Sequence, residues 1–175
     1  MKHHKFYGLN MRISNTILLL AATTLFAANA NAKLEGVFTD WAVHSKTQGG
    51  EKICYALGKA KSKTPSSVKH GDIYFMVANW KSGAAKEQPS LLTGFSLKAE
   101  IPPSARIGSS RIPMYTDGSE AFVENRSDEK KLVRSMRKGS TMRVDAVSAR
   151  GTQISYEFSL RGITAALGKA RTVCK

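Results

Sequence analysis

The sequence predicts a mainly β protein, a β-sandwich with two short helices. The clearest observation is the segment 152–160, TQISYEFSL, in which Ile154, Tyr156, Phe158 and Leu160 alternate with polar residues. Strict alternation is typical of a strand with one buried face. A second observation is that roughly seven such strand candidates are separated by short turns, which favours a sandwich over a barrel. A third is that only two segments have the pattern of helices.

The first half of the domain provides four strand candidates. Segments 37–45 and 51–59 form an opening pair that is joined by the glycine-containing turn KTQGG. Segment 72–80, DIYFMVANW, is apolar on both faces, as expected of a central strand that is covered on each side. Segment 90–98, SLLTGFSLK, is a further candidate. The most apolar strand is therefore expected in the middle of a sheet.

The second half provides two hairpins. The dipeptide Asp117-Gly118, within IPMYTDGSEAFVEN, suits a two-residue turn with positive φ angles, so we expect a hairpin around it. Segment 140–149 alternates like segment 152–160, and the turn sequence ARGT lies between them. These two segments are therefore predicted to pair. The apolar face of the first of them consists of Met142, Val144 and Ala146.

Two helices interrupt the strands. The first is predicted over 127–139, with Ser127 as its N-cap, acidic residues in its first turn and Gly139 at its end, which is the order that helix ends favour. Its apolar stripe consists of Leu132, Val133 and Met136. The second helix is predicted over 161–171 and is weaker, because two glycines lower its helix propensity. It can still bury Ile163, Ala166, Leu167 and Ala170.

Residues 1–32 predict a signal peptide that is cleaved on export. From Met11 onward, one arginine precedes an apolar run over 17–28, and Ala30-Asn31-Ala32 matches a cleavage site. The alternative, a membrane anchor, needs about 20 apolar residues. We therefore expect the mature chain, 33–175, to be a single periplasmic or secreted domain. We expect it to have no transmembrane segment.

The two cysteines, Cys54 and Cys174, are expected to form a disulfide. An even number of cysteines in an oxidising compartment favours this pairing. Unpaired buried thiols and a metal pair are the alternatives, although a metal site usually needs closer spacing and more His or Cys ligands. A disulfide at this position would tie the terminal helix to the strand of Cys54 and keep the end of the chain from fraying.

Positive charge is the main functional signal. Without the basic residues of the signal peptide, Lys2, Lys5 and Arg12, the chain has 24 basic and 13 acidic residues, a net charge of +11. Such a charge attracts lipid phosphates, acidic polysaccharide or acidic protein surfaces, and the alternative is a solvated face that aids solubility. The candidate patch for an anionic partner comprises Lys59, Lys61, Lys63 and Lys69 in an expected loop, and Lys130, Arg134 and Arg137 on the first helix.

Several of these segments together resemble a known family. They are DWAVHSKTQGGEKICYAL, GDIYFMVANW, and the stretch from TDGSEAFVEN to the end, with the helix end SMRKGSTM, the turn SARGT and a terminal cysteine. The set is similar to the invasion-associated locus B family of exported alphaproteobacterial proteins. The resemblance implies an immunoglobulin-like β-sandwich, an envelope location and an association with host-cell invasion. Some members carry extra cysteines, but Ser45 stands at one such position here, so only the Cys54–Cys174 pairing is carried over.

No catalytic motif accompanies these features. Two S-x-x-K matches lack the companion elements of a β-lactam-type site. His44 and His70 could pair with Asp40 or Asp72, but such neighbours are mostly structural. We expect no enzyme activity, no cofactor, no metal and no nucleic-acid partner. The expected function is an exported, non-catalytic binding or interaction protein with an unknown envelope or host-surface partner. The alternative is a structural or stress-related periplasmic factor that acts on the cell's own envelope.

The predicted export can be tested on the protein purified from its native host. Because Ala30-Asn31-Ala32 fits signal cleavage, we expect the first residue to be Lys33 or an immediate neighbour. Intact-mass measurement and N-terminal sequencing check this expectation. A native protein that retains residues 11–32 would contradict it.

Overall fold

Two antiparallel sheets face each other across one core, and the computed structural model describes them over residues 32–175. The expected signal peptide therefore lies almost entirely outside the described residues. Within that range the strands are β1 (Lys33–Phe38), β2 (Trp41–Gln48), β3 (Glu51–Lys59), β4 (Ser62–Thr64), β5 (Tyr74–Trp80), β6 (Gln88–Leu92), β7 (Ser104–Ile107), β8 (Ser110–Pro113), β9 (Tyr115–Asp117), β10 (Glu120–Phe122), β11 (Thr141–Val147) and β12 (Gln153–Ser159). The helices are α1 (Arg126–Lys138) and α2 (Ile163–Val173).

The larger sheet has seven strands in the order β1-β2-β3-β5-β6-β10-β9, and the smaller has five in the order β4-β12-β11-β7-β8. All of the strand pairs are antiparallel. Helix α2 contacts β1, β2, β3 and β5, and helix α1 contacts α2 and the strands β6, β7 and β8. The smaller sheet and the two helices thus share the inner face of the larger sheet. The predicted fold class, a mainly β sandwich with two helices, is confirmed.

Large side chains from both sheets fill the core. Phe75 of β5 meets Phe158 of β12 edge to face, with ring centroids 5.7 Å apart. Trp41 is 1% exposed, and its indole Nε1 donates a hydrogen bond of 2.9 Å to the carbonyl oxygen of Ser159. Each fully buried side chain of this size contributes about 1.5–3 kcal/mol to the free energy of unfolding. These contacts hold the two sheets together directly.

The predicted pairings are confirmed where alternation was strong. Strands β11 and β12 pair over their whole length, from Thr141 opposite Ser159 to Val147 opposite Gln153. Strands β2 and β3 form the opening pair. Strands β9 and β10 form the expected hairpin, although its turn residues are 118 and 119, one position later than predicted. The shift leaves Gly118 at φ +59°, so the glycine still takes the conformation that other residues avoid.

Other predictions were wrong in detail. The helix α1 is capped by Asn125, whose side chain accepts a hydrogen bond from the Asp128 amide, and not by Ser127. Asparagine is as good an N-cap as serine. Asn125 precedes Ser127, so the N-cap comes two residues earlier than predicted. Part of the expected lysine loop is a short strand, β4, that pairs with β12. Strands β7 and β8 were not predicted, because four-residue strands leave little alternation to detect.

The outer face of β5 differs from its prediction. Phe75 and Val77 are fully buried on the inner face, whereas Tyr74 and Met76 on the other face are only half-buried. Within residues 32–175 the helices and the smaller sheet cover the inner face alone. The residues paired with Met76 within the larger sheet are Leu57 on one side and Ser90 on the other. The apolar character of both faces therefore does not mean a second covering layer.

The chain enters α2 through Gly162 at φ +89°. A side chain could not fit there, because an added Cβ would lie 2.0 Å from the carbonyl oxygen of Phe38. The helix then buries the expected four residues, Ile163, Ala166, Leu167 and Ala170. The close approach fixes the start of α2 against the β1–β2 turn.

The end of α2 is held by a disulfide. Cys174 is bonded to Cys54 of β3, and their Cα atoms are 5.6 Å apart. Lys52, two residues earlier on β3, donates from Nζ to the carbonyl oxygen of Val173 at 2.7 Å. The same strand thus binds the end of α2 twice. Because the disulfide joins residues 120 positions apart, the chain-entropy model assigns it a stabilisation of about 4–5 kcal/mol.

Replacing Cys174 with serine should release α2 before the sheets. We expect residues 163–173 to lose hydrogen-exchange protection first, while 153–159 keep theirs, because β12 is paired on both edges. The melting temperature should fall by an amount that corresponds to a few kcal/mol. Cys54→Ser should give the same pattern, since either change opens the same loop. Two free thiols in the oxidised native protein would contradict this prediction.

Candidate functional site

Three of the four lysines predicted in the loop are engaged within the protein. Lys59 Nζ lies 2.7 Å from an Asp72 carboxylate oxygen, and Lys61 Nζ lies 2.7 Å from one of Asp40. Lys63 Nζ donates to the carbonyl oxygen of Gly71. The two carboxylates offset part of the charge on which the predicted patch depends. Lys69 is exposed, and within residues 32–175 it forms no ion pair.

Asp40 connects three parts of the chain. Its carboxylate accepts from Lys61 after β3, from the Ser159 hydroxyl at the end of β12 at 2.7 Å, and from Arg161 Nε before α2 at 3.2 Å. The hydrogen bonds from Lys61, Ser159 and Arg161 lower the pKa of Asp40 to about 2. Its side chain is only 12% exposed. Lys61 therefore has a structural role, which the sequence did not indicate.

On helix α1 the three predicted cations differ from one another. Arg137 pairs with Glu87 of the segment between β5 and β6. Lys130 and Arg134 are exposed and form no ion pair within the described residues. Residues four positions apart share one side of a helix, so these two charges lie side by side.

The structure separates the two halves of the predicted patch. The loop half flanks β4, which forms one edge of the smaller sheet, and α1 contacts β7 and β8 at the opposite edge. A single small ligand therefore cannot contact Lys63 and Arg134 together, and a partner that contacts both must be extended across the sheet.

A second group of cations meets beside the disulfide, and sequence reasoning missed it. These residues line a cavity of about 630 Å³, which we call the terminal cleft. Its walls are the segment between β5 and β6, the start of α1 and the end of α2. Six basic residues line it, namely Lys81, Lys86, Arg126, Lys130, Arg171 and Lys175. Only Lys130 was in the predicted patch. The others form no run in the sequence. The net positive charge was therefore the only sequence feature that could have indicated this site.

Both histidines of the described chain have partners in the fold. His70 is 7% exposed; its Nδ1 lies 3.0 Å from the Tyr156 hydroxyl and its Nε2 lies 2.8 Å from the Pro65 carbonyl oxygen. His44 stacks on Tyr55, with ring centroids 5.6 Å apart. Neither forms the His–Asp pair considered from the sequence, because Asp40 and Asp72 bind lysines. Over residues 32–175 no group of three or more His, Cys, Asp or Glu side chains could hold a metal ion.

Comparison with known proteins gives one finding. A family model described as "Invasion associated locus B (IalB) protein" matches residues 41–171. The match runs from the start of β2 into the last turn of α2, and it includes Cys54 and stops shortly before Cys174. No curated protein and no solved structure matches the chain. Among residues 32–175, none of the helices has the length and apolar character that crossing a membrane requires.

The role of Asp40 predicts a pH dependence. Its pKa in the folded protein, about 2, lies below the ordinary 3.8, so its contribution to stability is present above about pH 4 and is lost as the pH falls towards 2. Asp40→Asn should lower the free energy of unfolding at pH 7 by on the order of 1 kcal/mol, since solvent screens the exposed ends of Lys61 and Arg161. The difference from the wild type should shrink between pH 4 and 2.

The matched control is Asp72→Asn. Asp72 is exposed and its main partner is Lys59, so the melting temperature should scarcely change at any pH. Thermal unfolding of the three proteins from pH 2 to 7 makes the comparison. An Asp40→Asn variant as stable as the wild type at pH 7 would refute the role assigned to this carboxylate.

Proposed function

The chain belongs to the invasion associated locus B family, and from that membership we propose that it is an exported, non-catalytic protein that binds an anionic partner on the envelope or on a host-cell surface. The signal-peptide pattern of residues 1–32 supports export. The family's name associates it with invasion. The proposal concerns the class of partner and not its identity.

The observation that carries the proposal is the excess of cations that the fold leaves without acidic partners. Beyond residue 32 the chain has 24 basic and 13 acidic residues, and seven of those basic residues form the ion pairs of the described structure. Unpaired cations such as Lys69, Lys130 and Arg134 remain at the surface. Charges that do not stabilise the fold are available to attract a partner of opposite sign.

A non-catalytic role is supported by what the ionisable side chains contact. His70 is bound by Tyr156 and Pro65, and Asp40 is bound by Lys61, Ser159 and Arg161. A general base must have a free position within hydrogen-bond reach of a substrate. The hydrogen-bonding atoms of these side chains are already occupied by groups of the protein itself. A binding role therefore explains the surface better than a catalytic one does.

Salt dependence tests the proposal. The mature protein, residues 33–175, should bind to envelope vesicles of its own bacterium or to cultured host cells, and binding should fall steeply from about 0.05 to about 0.5 M salt as the Debye length shortens. Lys130→Gln/Arg134→Gln should weaken binding roughly threefold to tenfold. Fluorescently labelled protein and a sedimentation or flow-cytometry assay provide the measurement.

A variant with the same charge change provides the control. Arg106→Gln/Arg150→Gln removes two exposed cations from the smaller sheet, one on β7 and one in the turn between β11 and β12, and its binding should stay within about twofold of the wild type. Binding that does not respond to salt would refute an anionic partner. Binding to the bacterium's own vesicles but not to host cells would support the alternative role, a factor that acts on the cell's own envelope.

A further inference from the structure

The charges of the terminal cleft are not balanced from within. Of its six basic residues only Arg126 forms an ion pair within the described part of the chain, with Glu129 at 2.8 Å. The acid that lines the cleft, Glu87, is paired with Arg137 outside it. The remaining five cations, Lys81, Lys86, Lys130, Arg171 and Lys175, form no ion pair among residues 32–175. A concave site in which cations greatly outnumber acids attracts multiply charged anions.

A buried hydrogen-bond donor lies in the wall of the same cleft. Asn79 is 7% exposed and lines the cavity. Its Oδ1 accepts from the Glu87 backbone amide at 3.0 Å, which fixes the orientation of the side chain. Its Nδ2 has no hydrogen-bond partner among residues 32–175. Leaving a buried donor unpaired costs free energy, and an acceptor oxygen from a ligand would remove that cost.

The backbone beside Asn79 is held in an uncommon conformation. Glu87 has φ +52°, which non-glycine residues seldom adopt and which clusters at functional sites. Its backbone amide is bound by Asn79 and its carboxylate by Arg137. Because Nδ2 is shielded from solvent, a ligand oxygen reaches it only after a local change in the wall of the cleft. We expect the segment that is bonded to Asn79 through the Glu87 amide to respond to that change.

We propose that the terminal cleft binds a phosphate monoester group. Five free cations favour a dianion over a singly charged carboxylate, and the guanidinium groups of Arg126 and Arg171 suit the paired oxygens of phosphate. The Asn79 Nδ2–H supplies a neutral donor. A cavity of about 630 Å³ has room for the phosphate and one attached sugar or headgroup. This inference rests on the proposed function, because it assigns the anionic partner a chemical group and a place.

The disulfide positions one wall of this site. Cys174 lines the cleft between Arg171 and Lys175, and its bond to Cys54 fixes the end of α2 beside Asn79, which is the partner of Cys54 across the β3–β5 pair. Reduction should therefore weaken phosphate binding as well as stability, a coupling that a diffuse cationic surface would not have.

The test is a titration of the isotopically labelled mature protein with glucose 1-phosphate, followed by nuclear magnetic resonance. We expect the Asn79 side-chain amide and the backbone amides of 82–87 to shift in a saturable way. Lys86→Gln/Arg171→Gln should reduce the affinity at least tenfold. Asn79→Asp keeps the acceptor for the Glu87 amide and replaces the donor with an oxygen, so it should reduce the affinity similarly. Should Asn79→Asp fail to fold, the variant Lys86→Gln/Arg171→Gln still tests whether the cleft binds phosphate.

The control is again Arg106→Gln/Arg150→Gln, which removes two exposed charges that do not line the terminal cleft and should leave the affinity within about twofold. An equal loss in this control would overturn the site, because attraction would then depend on net charge alone. So would tighter binding of glucuronate than of glucose 1-phosphate. A protein that binds cells or vesicles in a salt-dependent way but shows no shift at Asn79 with either glucose 1-phosphate or phosphatidic acid would refute the cleft and leave the proposed function standing.

Two further titrations distinguish the source of the phosphate. Vesicles that contain phosphatidic acid present a monoester on a lipid, and vesicles that contain phosphatidylglycerol present only a diester. Shifts with glucose 1-phosphate and with phosphatidic acid support a site that recognises the group wherever it is attached, and shifts with phosphatidic acid alone assign it to a lipid headgroup. Equal response to both vesicle types would contradict recognition of a monoester.

Discussion

The attachment of α2 to the inner face of the larger sheet is the constraint on which the rest of the structure depends. The helix begins where Gly162 approaches the Phe38 carbonyl so closely that no side chain fits, and it ends where Cys174 is bonded to Cys54. Between these two points it buries four apolar residues, and Gly168 in its interior lowers its helix propensity. The attachment of both ends, more than the helix propensity of its own sequence, therefore keeps this helix in place. The smaller sheet covers only part of the larger one, so without α2 the inner face beside β1 and β2 would be open to water.

Asp40 performs a related role for charge. It joins the β1–β2 turn to Ser159 and Arg161, immediately before α2, and to Lys61, immediately before β4. A carboxylate in this position uses two cations to fasten segments that are distant in sequence, and its lowered pKa reflects those contacts. Asp40, one of 13 acids against 24 basic residues beyond residue 32, thus fastens the fold, and cations such as Lys69 face solvent without an ion pair among the described residues.

The sequence was informative where a structural cause is local. Alternation in 152–160 predicted β12 and its buried face because a strand's side-chain period does not depend on its neighbours. The apolar stripe of α1 and the turn at Gly118 were also predicted, because both depend on residues that are close together in the sequence. The outer face of β5 was misjudged because apolar residues on both faces do not reveal whether a second layer exists. Strands β4, β7 and β8 were missed because three or four residues carry too little pattern, and their pairing is decided by the strands beside them.

The two candidate binding sites also differ in whether the sequence reveals them. A run of lysines such as KAKSKTPSSVK is visible in a sequence, but its partners Asp40 and Asp72 are not adjacent to it, so the run overstates the free charge at its own position. The terminal cleft has the opposite property, because no two of its basic residues are neighbours along the chain and the fold alone brings them together. Unpaired charge is a property of the folded surface, since it depends on which acids the tertiary structure has already used. For this protein the cations that matter for binding are therefore expected where chain segments meet at the end of α2, and not where lysines are densest in the sequence.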